Sequence, residues 1–516
     1  MFGSDRMGRL PELFLVFGIS GLLVAGSVMG TSSVAVNMGS LPVMGFVMHR
    51  RVAVMRALAF MMVMNSASYV DVGGWTSNVL NGTLNVDAGT QMAKARLRGA
   101  SVLCLVGSTG HAIRLGLYAF EYPILIALAT LGLMIMVSAN DLIVRYLGLE
   151  WQSLCLYVLA AFRRGSAYST EAGLKYFIMG SVASGFYLFG SSLIYGATGS
   201  VNFSDIGRRR MGDAELGVVD AMGAIGLALV LSAFMFKLAV APFHAWSPDV
   251  YEGSPLPSTL YFAVVPKLAM VVVVARLCFG PFAELFAVAQ PIRLMGSALS
   301  RLVAALSALV QRRLKRFRAY SAIGHMGYVF LALASGSFEG VQAAMIYLVM
   351  YILMSLGAWL SVMSLSRRVP STSVDSVGEM NVQSAKYITD LGGLGRVNPF
   401  LGMVLAMSVR SMAGIPPLAG FMAKMWVFFS AMSQSLIGFS VLGVLTSCVG
   451  AFYYRRFVKV MYFEGVNSQT ASSFSLGVDR GASYVMGFAV GLIAVMMAIP
   501  GPVMVITHRM ALSICS

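Results

Sequence analysis

The sequence predicts an all-α polytopic membrane protein of about 14 transmembrane helices. Three observations predict it. The 516 residues are 58% hydrophobic and only 11% charged, with a mean hydropathy of +0.79, whereas a soluble chain carries about 25% charged residues. Apolar runs of about 20 residues, long enough to cross the hydrocarbon of a bilayer, recur along the chain. Basic residues gather in the short stretches between those runs, as in QRRLKRFR at 311–318, the pattern by which membrane proteins fix their orientation.

In order, the spans are expected at residues 10–30, 52–70, 99–115, 120–139, 141–162, 175–197, 218–243, 256–278, 293–310, 319–336, 341–364, 397–430, 433–462 and 482–507. Basic residues favour the connections after odd-numbered spans: Arg50, Arg51 and Arg56, then Arg163 and Arg164, the group from Arg312 to Arg318, and Arg455 with Arg456. Those connections should face the cytoplasm or matrix and both termini the other side. Arg208, Arg209 and Arg210 run against that orientation. Glu121 opens the fourth span at the interface, and Asp141 and Asp249 suit helix capping.

Several function classes fall away. The five cysteines are scattered without a CxxC pair, and the five histidines have no metal or haem spacing. The glycine-rich LGGLGR at 391–396 lacks a phosphate-loop pattern and reads as a loop. Sequons at Asn81 and Asn202 read as chance matches, and no cleavable signal or transit peptide is expected. The net charge of +16 belongs to topology-setting clusters, so no nucleic-acid partner is expected. The 37 methionines spread over all spans and suit lipid-facing and core filling. Trp246 and Trp426 read as interface or packing residues.

Two spans are interrupted by proline: Pro242 in the one carrying Lys237, and Pro416 with Pro417 in the one carrying Lys424. Proline removes a donor and frees carbonyls at membrane depth. A pair of broken helices in corresponding positions, five spans apart, points to an inverted repeat with sites near the midplane.

The lysines reinforce that reading. Eight of the 37 basic residues are lysine, leaving 29 arginines. Lys175, Lys237, Lys267, Lys315 and Lys424 nevertheless lie in or at the edge of apolar spans, while arginine fills the connections. Arginine keeps its proton, whereas a buried lysine can lose and regain one. Lys175 and Lys315, near span ends, also suit snorkelling to the interface; Lys237 lies too deep in its run for that. Glu150, well inside the fifth span, is the acid best placed to partner Lys237. His244 and His325 each stand in or beside a lysine-bearing span and are candidates for a relay.

Five motifs then occur in order: SANDLIVRYLGLEWQSLCLYVLAA, EAGLKYFIMGSVASGFYLFGSSLIYGATG, FKLAVAPFHAWSPDVYEGSPLPST, LKRFRAYSAIGHMGYVFLALA and GIPPLAGFMAKMWVF. Together, over residues 121–463, they resemble the antiporter-like membrane subunits of NADH:quinone oxidoreductase (respiratory complex I), of the kind called subunit 2 or, in bacteria, subunit N. Residues 1–120 and the last fifty match loosely.

The resemblance implies N-terminal helices 1–3 over residues 1–118, a first antiporter-like repeat (helices 4–8) over 119–280, a second (helices 9–13) over 281–464, and helix 14 over 465–516. Carried over by position, Glu150 matches the fifth-helix glutamate and Lys237 the seventh-helix lysine that pairs with it. Lys267 matches the central eighth-helix lysine, Lys424 the twelfth-helix lysine, and Lys175, His244, Lys315 and His325 conduit-side positions. The implied mechanism shifts a proton from Lys237 through Lys267 and His325 to Lys424 when the charge at Glu150 changes. No cofactor is implied in this chain; NADH, FMN, iron–sulfur clusters and quinone belong to partner subunits of a hetero-oligomeric membrane arm. The sequence departs from the family at Arg410, at Arg145 close to Glu150, and at Pro266 directly before Lys267.

Two other functions share these features. One is a subunit of a multi-subunit cation/proton antiporter, against which LGLEWQSLCLYVLAA and SPDVYEG are weighed. The other is a scaffold that translocates nothing, against which the retained lysines are weighed. The mitochondrial inner membrane is the expected location, with the bacterial plasma membrane as the alternative.

Overall fold

Apolar stretches too long for a water-soluble core leave the backbone no partner but itself, and helices are the result. The computed structural model describes residues 12–23, 77–115, 117, 120–210, 217–369, 381–465 and 478–515. The span expected at 52–70 lies outside the described residues. Among the described residues, nine helices are long and apolar enough to cross a membrane.

Helix α1 (Glu12–Leu23) precedes a small hairpin of β1 (Ser77–Val79) and β2 (Leu84–Val86), antiparallel with Ser77 opposite Val86. Next come α2 (Ala88–Arg114), α3 (Glu121–Ser138), α4 (Leu142–Ala160), α5 (Ala167–Thr198) and the short α6 (Phe203–Arg210). The first broken span follows as α7 (Gly217–Leu238) and α8 (Trp246–Gly253), and then α9 (Leu256–Phe279), α10 (Phe286–Val310), α11 (Leu314–Ala334) and α12 (Phe338–Ser364). A second antiparallel pair, β3 (Ser366–Val369) with β4 (Asn381–Ser384), leads to the single turn α13 (Leu394–Val397). The second broken span is α14 (Pro399–Ala413) and α15 (Ala419–Ser433), followed by α16 (Ile437–Phe463), α17 (Arg480–Ala498) and α18 (Gly501–Cys515). Helices α9 and α12 form the centre, with 89% and 94% of their most apolar stretches buried, while α5 and α16 lie outside at 33% and 28%.

Four boundaries differ from the sequence reading, the first three because charge or polarity was read as loop and the last because of a proline break. Helix α2 begins at Ala88 rather than 99, since Lys94 turns inward to an ion pair with Glu12 of α1 and the buried Arg98 donates Nε to the Lys94 carbonyl at 3.2 Å. Helix α5 begins two turns before 175 with the polar sequence AYSTEAG. The basic group at 312–318 is largely the first turn of α11, not a connection. The last span is two helices, interrupted at Ile499 and Pro500.

Asp141 caps α4 as expected, accepting the Ile143 N–H at 2.9 Å. Asp249 does not cap; it lies within α8 and pairs with Lys175 at 3.4 Å and Arg316 at 2.8 Å. Asn202, read as a chance sequon, ties the connections on the opposite end together: its Nδ2 donates to Gly82 O at 3.1 Å and its Oδ1 accepts from Asn140 Nδ2 at 3.2 Å. At the same end Asp87 pairs with the largely buried Arg276, which also reaches Val137 O at 3.2 Å. Removing one member of a buried pair strands the other charge, at about 3–5 kcal/mol. Asp87→Ala should therefore lower the thermal unfolding midpoint of the solubilised protein, and adding Arg276→Met should restore most of it. Equal midpoints for the two variants would show that the stranded charge is not the cause.

Candidate functional site

Both broken spans end their first half in the same way. Ala239 (φ 57°) and Gly414 (φ 81°) take the left-handed conformation. The following residue closes a six-residue ring, Val240 N to Met235 O at 2.8 Å and Ile415 N to Arg410 O at 3.3 Å, the Schellman pattern of a helix terminus. The freed carbonyls find donors. Trp246 Nε1 reaches Phe236 O at 2.9 Å, and Lys424 Nζ reaches Ala413 O at 2.7 Å. Trp246 is thus a packing residue, stacked on Tyr176 with centroids 4.6 Å apart.

Lys237 is buried on α7, and its ammonium donates to Ser153 Oγ at 2.7 Å and Tyr157 OH at 3.1 Å on α4. Among the described residues no carboxylate forms an ion pair with it. Glu150, one turn before Ser153, is half-buried and accepts a hydrogen bond from Ser184 of α5. It acts on Lys237 through space rather than by contact; in place of the direct pairing expected from the sequence, the ammonium bonds Ser153 and Tyr157 while Glu150 bonds Ser184. Arg145 does not compete for Glu150. Its Nη2 donates to Ala139 O at 2.7 Å and its guanidinium covers the Phe203 ring. Arg410 is exposed at the end of α14.

Lys267 lies at the centre of α9, 3.2 Å from Tyr351 OH and facing the rings of Tyr251 and Tyr351. Tyr351 also packs against His325, with centroids 5.5 Å apart. His325 Nδ1 is 2.7 Å from Tyr347 OH and Nε2 is 3.4 Å from Tyr454 OH, which in turn bonds Ser321. Lys424 faces the Tyr328 ring at 5.2 Å and shares with His325, Ser321 and Tyr454 a cavity of about 20 Å³, room for one water. Lys267, Lys424 and Arg318 all act on the His325 ring as positive neighbours, so a proton placed on one of these groups is felt by the others.

The structure therefore gathers Lys267, His325 and Lys424 into one hydroxyl-lined row and sets Lys237 with Glu150 at its near end. The gap between Lys237 and Lys267 is spanned by packed rings, Tyr157 edge-on to Tyr176, Tyr176 stacked on Trp246, and Trp246 edge-on to Tyr251. Lys175 and Lys315 lie apart from the row. Lys175 is exposed and pairs with Glu171 at 2.6 Å, and Lys315 donates to Glu252 O and Ser254 O at 3.1 and 2.8 Å. His244 is half-buried in the break between α7 and α8.

Residues 139–450, well over half the chain, match the family described as NADH:quinone oxidoreductase/Mrp antiporter, TM. The chain belongs to that family. It is 39% identical over 502 residues to NADH-quinone oxidoreductase subunit N of Paramagnetospirillum magneticum, covering 96% of each chain. It is 35% identical to NADH-ubiquinone oxidoreductase chain 2 of Marchantia polymorpha over the full length of both. Among solved structures it matches a chain of respiratory complex I from Thermus thermophilus with bound aureothin, at a TM-score of 0.74 and 30% identity over 96% of this chain and 98% of that one. A chain of the Mrp complex from Dietzia sp. shares the fold, with a TM-score of 0.80, 18% identity and 98% of each chain covered. The family's multi-pass membrane character agrees with the nine apolar helices described above.

Tyr146, Ser153 and Tyr157, and Ser321 and Tyr328, which stand beside the expected Glu150 and His325, escaped sequence reasoning. Tyr146, Glu150, Ser153 and Tyr157 form one stripe at helical spacing on α4, as do Ser321, His325 and Tyr328 on α11, and that periodicity was the available signal. The buried arginines gave none. Arg301 reaches Phe439 O at 3.1 Å and faces Tyr328, and Arg318 reaches Ser355 O at 3.5 Å over the Trp359 ring.

Gly414 sets the position of Lys424. A Cβ there would meet Lys424 Cδ at 2.8 Å and Nζ at 3.1 Å, and the left-handed backbone adds about 1–3 kcal/mol for a side chain. Gly414→Ala should therefore destabilise the solubilised protein more when Lys424 is present than in a Lys424→Ala background, by about 1 kcal/mol of coupling. A double-mutant cycle of thermal unfolding reads this, and additive effects would separate the glycine from the lysine.

Proposed function

We propose that this chain is the antiporter-like, proton-translocating membrane subunit of an NADH:quinone oxidoreductase, assembled with other membrane-arm subunits. The observation that carries the reading is the row of three buried lysines, none in contact with a carboxylate among the described residues and each held by hydroxyls, a carbonyl or aromatic faces. The relatives named as subunit N and chain 2, matched over nearly all of their length, support the assembly. NADH oxidation and quinone reduction belong to partner subunits that hold FMN, iron–sulfur clusters and quinone; this chain supplies the proton path.

Glu150 is the input. A change in its charge acts on Lys237 through space, and Lys237 passes its proton toward Lys267. The ring-lined gap between the two lysines offers no continuous hydroxyl chain, so water carries the proton there. Lys267 hands on through Tyr351 and His325 to Lys424, which releases it on the far side. Lys175, Lys315 and His244 serve at the mouths of the path. Two inverted repeats, 119–280 and 281–464, organise it. Supporting them, α5 packs along both α7 and α8 as α12 packs along both α14 and α15, and both breaks carry the same terminus. The mitochondrial inner membrane is the location, supported by the full-length match to the Marchantia chain; bacterial relatives of similar identity make the plasma membrane the alternative.

Native-size separation of gently solubilised membranes, with the chain located by mass spectrometry and the gel stained for NADH oxidation, tests the assembly. A very large NADH-oxidising band is expected. A smaller assembly without that activity would favour a multi-subunit cation/proton antiporter, whose fold this chain shares. In the active complex, Lys237→Met should lower proton pumping at least several-fold, and Lys237→Arg should fail to restore it because arginine keeps its proton. Full pumping in both variants would remove Lys237 from the path.

A further inference from the structure

The basic end of the molecule holds a cavity of about 520 Å³ that lies outside the row of Lys237, Lys267, His325 and Lys424 and meets the proposed path only at Lys315, a size within the range of small-molecule sites. Three long helices begin at its wall: α5 after Ser166, α9 after Pro255 and α11 after Arg313. None of the three N-cap residues makes a side-chain capping bond. The helix dipole puts partial positive charge at each of these ends and favours an anion there; of the leading N–H groups, that of Leu314 is taken by Lys386 O at 2.9 Å and Pro257 has none.

The side chains add charge of the same sign. Arg163, Arg313, Lys315 and Lys386 line the cavity against a single acid, Glu252. That acid is already engaged by Arg313 and Arg316. Arg163 and Lys386 are exposed and have no side-chain hydrogen bond or ion pair among the described residues, and both repel the Lys315 ammonium. Crowded cations facing three positive helix ends leave the cavity short of negative charge.

We propose that this cavity binds a phosphate ester, the headgroup of an anionic phospholipid. The phosphate accounts for the helix ends and the basic side chains. The lipid is favoured over free phosphate by three further observations. The volume exceeds what phosphate alone needs, the wall includes Leu256 at the start of a membrane helix, and α5 continues from the cavity with exposed Leu174, Phe177 and Ile178 on which acyl chains can lie. Basic pockets between helices on the cytoplasmic or matrix side recognise such headgroups.

The test uses the whole delipidated complex, native mass spectrometry, and two probes: phosphatidylglycerol and inorganic phosphate. The variant is Arg163→Gln with Lys386→Gln, both exposed and unpaired, with retained NADH oxidation in detergent confirming an intact complex. The wild type should hold one more phosphatidylglycerol per complex than the variant, and half-occupancy of that lipid should need at least tenfold more lipid in the variant. If the substitution weakens phosphate binding but leaves phosphatidylglycerol unchanged, the lipid occupant is overturned and free phosphate takes its place. If neither probe distinguishes the two proteins, the site itself is overturned.

Discussion

The cost of holding a charge in hydrocarbon governs this structure. A buried ammonium must find donors' complements or give up its proton, and acids are scarce in the spans. The chain meets the constraint with neutral groups: Ser153 and Tyr157 around Lys237, Tyr351 around Lys267, and the Ala413 carbonyl and the Tyr328 ring around Lys424. Neutral partners hold a cation without locking it. A carboxylate in contact would fix each proton in place, whereas hydroxyls and ring faces let the charged and neutral forms exchange when a neighbouring charge changes. Arginine meets the same constraint differently. Arg301 and Arg318 lean on backbone carbonyls and aromatic faces, although Arg301 Nη2 stays buried without a hydrogen-bond partner, and both remain permanent positive charges beside the row.

The broken helices make this solution possible. A continuous helix uses every carbonyl internally. Stopping α7 at Leu238 and α14 at Ala413 releases carbonyls deep in the protein, and one of them becomes the seat of Lys424. Gly414 does double service there, taking the left-handed turn and leaving the space the lysine occupies. At the first break the same turn falls to Ala239, and Trp246 takes the carbonyl, so Lys237 is left to the hydroxyls of α4. One device therefore positions two lysines by different means.

The all-helical membrane architecture and the buried lysines were legible because hydrophobic length and a charge inside it are local signals. Lys237, Lys267 and Lys424 stood out against a chain that otherwise favours arginine. What surrounds them was less legible, since their partners come from helices distant in sequence: Lys237 meets Tyr157 across 80 residues and Lys267 meets Tyr351 across 84. Glu150 was expected to touch Lys237, first on the scarcity of acids and then on the family resemblance, but helical phase gives that contact to Ser153. Charges also misled where they turn inward. Lys94 and Arg98 concealed the first turns of α2, and Asp249, read as a cap, serves the ion pairs that let basic residues stand at the start of α11.

Lys267 links the two halves of the row, so its removal tests the account most directly. The measurement is the number of protons moved per NADH oxidised, in proteoliposomes containing the complex with Lys267→Met. A lower ratio is expected while NADH-driven quinone reduction remains measurable, because the redox chemistry lies in other subunits. An unchanged ratio at unchanged turnover would contradict it, and the buried lysines would then be structural cations rather than carriers.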